Sequence, residues 1–192
     1  MAEVFNNIFV RGLTGAVGDQ FVIRKTRSGK TIIANKPRFD KDREFSPAQK
    51  AHQQAFREAA RYAKAAQTQP FYIERANAAN STAYNMAVAD WFGKPEILAI
   101  DASGWTGEIG QTIRIEAQDD TKVTRVTVVI HNNGTVLEQG EAVQSGTGGS
   151  LWSYVTTTQV TPARGILLDA NAYDMPGHFG ASSVPMNSGH NS

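Results

Sequence analysis

A chain of 192 residues has room for one large domain or two small ones, and 41% hydrophobic residues are enough to bury a core. Cysteine is absent, which excludes disulfides, thiolate metal sites and thiol nucleophiles together. The net charge of +1 conceals an asymmetry: residues 1–75 carry 14 Lys/Arg against 7 Asp/Glu, a balance of +7, and residues 76–192 carry 5 against 11, a balance of −6. Such a split points to a polyanion partner for the first half or to attraction between unlike halves of neighbouring copies, unless two modules simply differ in composition.

The opening MAEVFNNIFVRGLTG lacks a basic segment followed by an apolar one, so no Sec-type signal is expected. Synthesis in the cytoplasm is expected, with release by a non-Sec route left open. No stretch approaches the ~20 apolar residues of a spanning helix, so no membrane span is expected. Apolar and β-branched residues cluster at residues 4–10, 20–24 and 31–35, punctuated by Gly12, Gly15, Gly18 and Ser28-Gly29. Runs bounded by turn residues read as short strands. Phe21-Val22-Ile23 and Thr31-Ile32-Ile33 flank a turn at residues 26–30 and predict a hairpin, which Lys36-Pro37 ends.

Residues 46–91 read as two helices. Ser46 is a good N-cap and Pro47 a good first helical residue. Residues 48–67 contain neither glycine nor proline, and Ala51, Ala55, Ala59 and Ala63 recur every four positions, a face that permits close packing. Pro70 interrupts. A second helix is expected from Asn80 or Ser81 through Trp91, with Tyr84, Ala87, Val88, Trp91 and Phe92 as its apolar stripe, stopped by Gly93 and Pro95.

From Pro95 onward the period changes to two. Ile113, Ile115 and Ala117 alternate with Arg114 and Glu116, and Val126, Val128 and Ile130 with Thr127 and Val129; Trp152, Tyr154 and Thr156 follow at the same period, then Ile166, Leu168 and Ala170. Asn132-Asn133-Gly134 is a hairpin-type turn. Breaks fall at Asp119-Asp120, residues 146–150 and residues 162–165. This pattern predicts a sandwich or small barrel. The expected organisation is a basic strand/helix region over residues 1–94, a β-sandwich over 95–185 and a polar tail over 186–192.

The third zone resembles the immunoglobulin-like repeats of bacterial surface and adhesive proteins. The matching stretches are Gly110-Gln111-Thr112-Ile113-Arg114-Ile115, Ala117-Gln118-Asp119-Asp120, residues 123–130, Asn133-Gly134-Thr135-Val136-Leu137, Leu151-Trp152-Ser153-Tyr154 and Ala172-Tyr173-Asp174-Met175-Pro176-Gly177-His178. His178 stands where the repeats usually carry asparagine. The first half, through Gly15-Ala16-Val17-Gly18, Gly29-Lys30-Thr31, Lys36-Pro37 and Ser46-Pro47-Ala48-Gln49, is similar to a group of uncharacterised bacterial proteins that pair such a region with an Ig-like domain. The resemblance implies an α+β chain, an N-terminal hairpin and two helices followed by an Ig-like β-sandwich. It implies no activity. A single Ig-like unit disfavours an extended stalk.

Tests for chemistry are negative. Ser28-Gly29-Lys30-Thr31 imitates the end of a P-loop, but Arg24 occupies the position of the required first glycine and no helix follows. Among His52, His131, His178 and His190 no metal-ligand spacing occurs, and His52 and His131 read as surface residues. There is no Gly-x-Ser-x-Gly elbow. Asp119, Asp120, Asp169 and Asp174 could gather at one end of a sandwich and attract calcium, but without a contiguous D-x-D-x-D-G loop the preferred reading is turn capping. No cofactor, metal or catalytic residue is expected. Asn80-Ser81-Thr82 and Asn133-Gly134-Thr135 fit the glycosylation sequon and are read as a cap and a turn.

The candidate binding feature is the basic run Arg24, Lys25, Arg27, Lys30, Lys36 and Arg38, several of which are expected to project from one hairpin tip. The leading expectation is a non-enzymatic structural subunit that forms homo-oligomers or filaments through its unlike halves, with the apolar segment Ile8-Phe9-Val10 adding to a neighbour's sheet edge. The alternatives are a monomeric module that binds carbohydrate or protein near Trp105, residues 146–150 and Trp152, and a nucleic-acid-binding protein that uses the basic hairpin.

Overall fold

The structure is a computed structural model that describes residues 2–4, 10, 12–26, 28–38, 42–146, 149–161 and 163–186. The chain divides into two units, Met1–Val88 and Ala89–Ser192.

In the first unit four short strands, β1 (Ala2–Val4), β2 (Gly15–Val17), β3 (Phe21–Lys25) and β4 (Thr31–Asn35), form an antiparallel sheet in the order β1-β4-β3-β2. The expected hairpin is β3–β4, in register from Phe21↔Asn35 to Lys25↔Thr31. Its turn closes through Thr26 N–H on Lys30 O at 2.8 Å, with Gly29 at a φ of +83° that a glycine adopts without steric cost. The sheet gains β1 and β2 on its two sides, so it is larger than a hairpin. Of its described side chains only Ile23 is buried.

The helices that follow number three, not two. In α1 (Pro47–Ala66) Ser46 caps as expected: its Oγ accepts from Gln49 N–H, and Gln49 Oε1 accepts from Ser46 N–H, a reciprocal capping box. The alanine face is buried only in its second half, at Ala59, Ala63 and Ala66, while Ala51 is exposed. Pro70 starts a further helix, α2 (Pro70–Ala78), because at the first helical position its missing N–H has no partner to lose. Tyr72 and Ala76 are buried, and the Tyr62 and Tyr72 rings meet edge-to-face with their hydroxyls 2.7 Å apart. In α3 (Ala83–Phe92), capped by Thr82 Oγ1 on Asn85 N–H, Ala87 is fully buried and Phe92 is exposed.

The second unit is built from β5 (Glu96–Asp101), β6 (Thr112–Gln118), β7 (Arg125–Asn132), β8 (Thr135–Gln144), β9 (Leu151–Val155), β10 (Ile166–Tyr173) and β11 (Phe179–Pro185). All neighbours are antiparallel, in the order β11-β10-β7-β8-β9-β6-β5. Strand β8 is the corner: Thr135 to Ala142 pair with β7, and Val143 and Gln144 pair with β9. The sheet folds there into a sandwich or flattened barrel. Its outer strands approach where Gly180 lies against Pro95; a Cβ at Gly180 would stand 1.8 Å from the Pro95 carbonyl oxygen. Period-two alternation drives the packing. Ile113, Ile115 and Ala117 of β6, Val126, Val128 and Ile130 of β7, and Leu168, Ala170 and Ala172 of β10 all point into one core with Trp105 and Trp152. Asn133 and Gly134, both at positive φ, make the tight β7–β8 turn. Strands β5 and β11 escape the sequence pattern: β5 carries a bulge between Ile97 and Ala99, and β11 (FGASSVP) has no apolar alternation.

Candidate interaction surfaces

The basic hairpin divides its charges between two ends. Arg24 and Lys25, adjacent in β3 and therefore on opposite faces, lie beside the turn with Lys30. Lys36 and Arg38 follow β4 at the other end, so the expected single tip does not collect them; Lys36 Nζ pairs with Asp19 at 2.9 Å. Arg27 lies outside the described residues. Of the proposed edge segment, Ile8 and Phe9 also lie outside them, and Val10 belongs to a turn whose carbonyl accepts from Leu13 N–H at 3.2 Å.

The N-terminal sheet presents an apolar face. Val17 is directly opposite Phe21, and both side chains share a face with Ile23 and Lys25. Val17 is 51% exposed and Phe21 41%.

In the sandwich, Trp105 and Trp152 are both in the core, so neither ring offers a platform to a sugar. The acidic end assembles differently from the expected set. Asp119 Oδ2 caps the turn after β6 by accepting from Thr121 and Lys122 N–H, and Asp174 Oδ1 accepts from Gly177 and His178 N–H in the β10–β11 turn. That second pair of bonds closes the turn from Asp174 to His178. Burial pushes the Asp174 carboxyl up; the two N–H bonds and the His178 imidazole pull it back, and the Asp119 charge adds to the rise. His178 also stands edge-on to Trp91. Asp90 of α3, which the sequence pattern did not single out, joins Asp119 and Asp120: one carboxylate oxygen from each lies within 4.8 Å of the others. This is the donor set a hard cation prefers. Gly93 leaves Asp120 its space, since a Cβ there would stand 2.4 Å from Oδ1. Asp169 is elsewhere, in the middle of β10.

Asp169 has a different employment. Its Oδ2 lies 2.9 Å from His131 Nε2, and its Oδ1 accepts from Ser183 Oγ. His131 is thus a half-buried, paired residue and not the plain surface histidine expected. The trio does not make a nucleophile. Activation of a serine needs the imidazole between hydroxyl and carboxylate, and here the carboxylate is in the middle.

Inside the sandwich Glu138 is buried on β8 and accepts from the Tyr154 hydroxyl at 2.8 Å and from Thr157 N–H and Oγ1. Burial first, and then the Glu138 hydrogen bond and charge, push the Tyr154 phenol up to about 12. Gly140 makes room for this ring: a Cβ there would meet Tyr154 Cε2 at 2.7 Å. The network ties β8, β9 and the segment after β9 together. No helix among the described residues is long and apolar enough to cross a membrane.

No protein-family model matches the chain, and no curated protein matches it. Among solved structures, CopC from Methylosinus trichosporium OB3b is similar over 46% of this chain and 87% of its own, with 9% identity and a TM-score of 0.32. An engineered protein is similar over 54% of this chain and 26% of its own, with 16% identity and a TM-score of 0.31. Likenesses at this level carry no argument about role.

Proposed function

We propose that the chain is a non-enzymatic structural subunit that associates with copies of itself, and that its second unit is an Ig-like sandwich used as a building block. The observation that carries the reading is the N-terminal sheet. A four-stranded sheet normally hides one face. Here one described side chain is buried while Val17 and Phe21 lie open, and β1 and β2 are both outer strands. Covering such a face in a neighbouring copy contributes about 25 cal/mol per Å² of apolar area removed from water. The opposite charges of the two units, +7 and −6, favour unlike contacts between copies. The Ig-like assignment draws on the seven antiparallel strands, the corner at β8 and the Asp174-capped turn.

Sedimentation velocity at tens of micromolar tests the reading, in about 50 mM and about 500 mM salt, since screening shortens from ~14 Å toward ~4 Å across that range. Association that weakens with salt is expected. A monomer under both conditions overturns it.

A further inference from the structure

On the sandwich, the outer face of β8, β9 and β6 carries a second exposed apolar group. Val143 of β8 is paired with Ser153 of β9, and Leu151 and Val155 flank that serine on the same face. Val143 is 73% exposed, Leu151 51% and Val155 50%. These positions lie over a well-filled core, where the outward residues of an antiparallel sheet are ordinarily polar. Three neighbouring exceptions form one surface.

Its charges are specific. Arg114, on the same face, lies 3.9 Å from Asp101, and Arg125 of β7 lies 3.3 Å from Glu141. The cations of this region are therefore matched within the chain. Glu116, directly opposite Leu151, accepts from Ser150 Oγ at 3.4 Å and has no cationic partner among the described residues. The N-terminal sheet offers the converse: the exposed Val17 and Phe21 share their face with Lys25, which has no acidic partner among the described residues.

We propose that the apolar face of β2–β3 in one copy packs on the outer face of β8–β9–β6 in a second copy, with Lys25 set against Glu116. This rests on the self-association reading and names its two surfaces. Charge decides the occupant. Pairing either face with itself brings like charges together, whereas the unlike pairing sets Lys25 against Glu116, neither of which has an opposite charge as partner among the described residues. The contact joins two unlike surfaces, so it closes as a reciprocal two-fold pair or continues head to tail into a ring or a filament.

The test is sedimentation velocity on the full chain with Val143→Asp, Glu116→Lys, Lys25→Glu and the Glu116→Lys/Lys25→Glu pair. Thermal unfolding serves as the folding control, which these exposed positions are expected to pass. Val143→Asp weakens association by about ten-fold or more, because a carboxylate is desolvated in an apolar contact. Each charge reversal weakens it, and the double reversal restores it. If the wild-type chain associates and Val143→Asp and Glu116→Lys match it, these surfaces are wrong and self-association stands. If the single reversals weaken assembly and the double does not recover it, the Lys25–Glu116 pairing is wrong. If the wild-type chain is monomeric, both readings fall.

Discussion

The two sheets of this protein solve the same problem differently. The C-terminal sheet folds over at β8 and buries one face completely, so that Ile113, Ile115, Val126, Val128, Ile130 and Leu168 are all inaccessible to water. The N-terminal sheet has the same strand chemistry but buries Ile23 and leaves Val17 and Phe21 open. The difference is one of reach. The ten-residue β8 is long enough to pair with β7 along one part and with β9 along another and so turn the sheet over, whereas no strand of the N-terminal sheet exceeds five residues. A sheet that does not close on itself leaves apolar side chains such as Val17 and Phe21 in water, and these are the residues of the contact proposed above.

Substitutions sharpen this contrast. The largest effect is expected for Leu168→Ala, at about 2–5 kcal/mol of lost stability by chemical denaturation, since a fully buried side chain leaves a cavity. Gly180→Ala should cost about 1–3 kcal/mol, because its Cβ forces β11 away from the Pro95 carbonyl. The closeness of the outer strands would be refuted by a neutral result.

Tyr154 gives the sandwich an alkaline limit. The phenol ionises near 10 in the unfolded chain and near 12 when folded, so the folded state holds the proton more tightly. Its contribution is intact below pH 10 and is lost as pH rises through 12. Ultraviolet titration should show one tyrosine ionising late, and Glu138→Gln should bring it earlier. Ser46→Ala should cost only about 1 kcal/mol, measured as helix loss, because it removes one cap. At the far end, Val17→Ala is expected to change monomer stability by less than about 0.5 kcal/mol while weakening assembly. A large stability loss there would show the N-terminal face to be a core and would erase the contrast.

Much of this was legible in the residues. Period-two alternation located β6, β7, β9 and β10, Asn133-Gly134 located a turn, and Ser46-Pro47 located the start of α1. These are local signals, readable because a strand's faces and a helix's cap are set by neighbours in sequence. The features that were missed depend on distant partners. Strand β11 is small and polar, and is a strand because β10 offers it a ladder. Helix α2 hides behind a proline that breaks one helix and begins another. His131 and Asp169 are 38 residues apart, and Asp90 of α3 meets Asp119 and Asp120 of the turn after β6. The basic run was visible as a run, but its division between the two ends of the hairpin follows from strand length.

Sequence alone therefore determined the alternating core, the capped alanine helix, the opposite charges of the two halves and the lack of a recognisable catalytic motif. Tertiary structure decided which apolar residues stay in water. Val143, Leu151 and Val155 carry the same strand signature as the core residues beside them, and only the fold at β8 tells the inward face from the outward one.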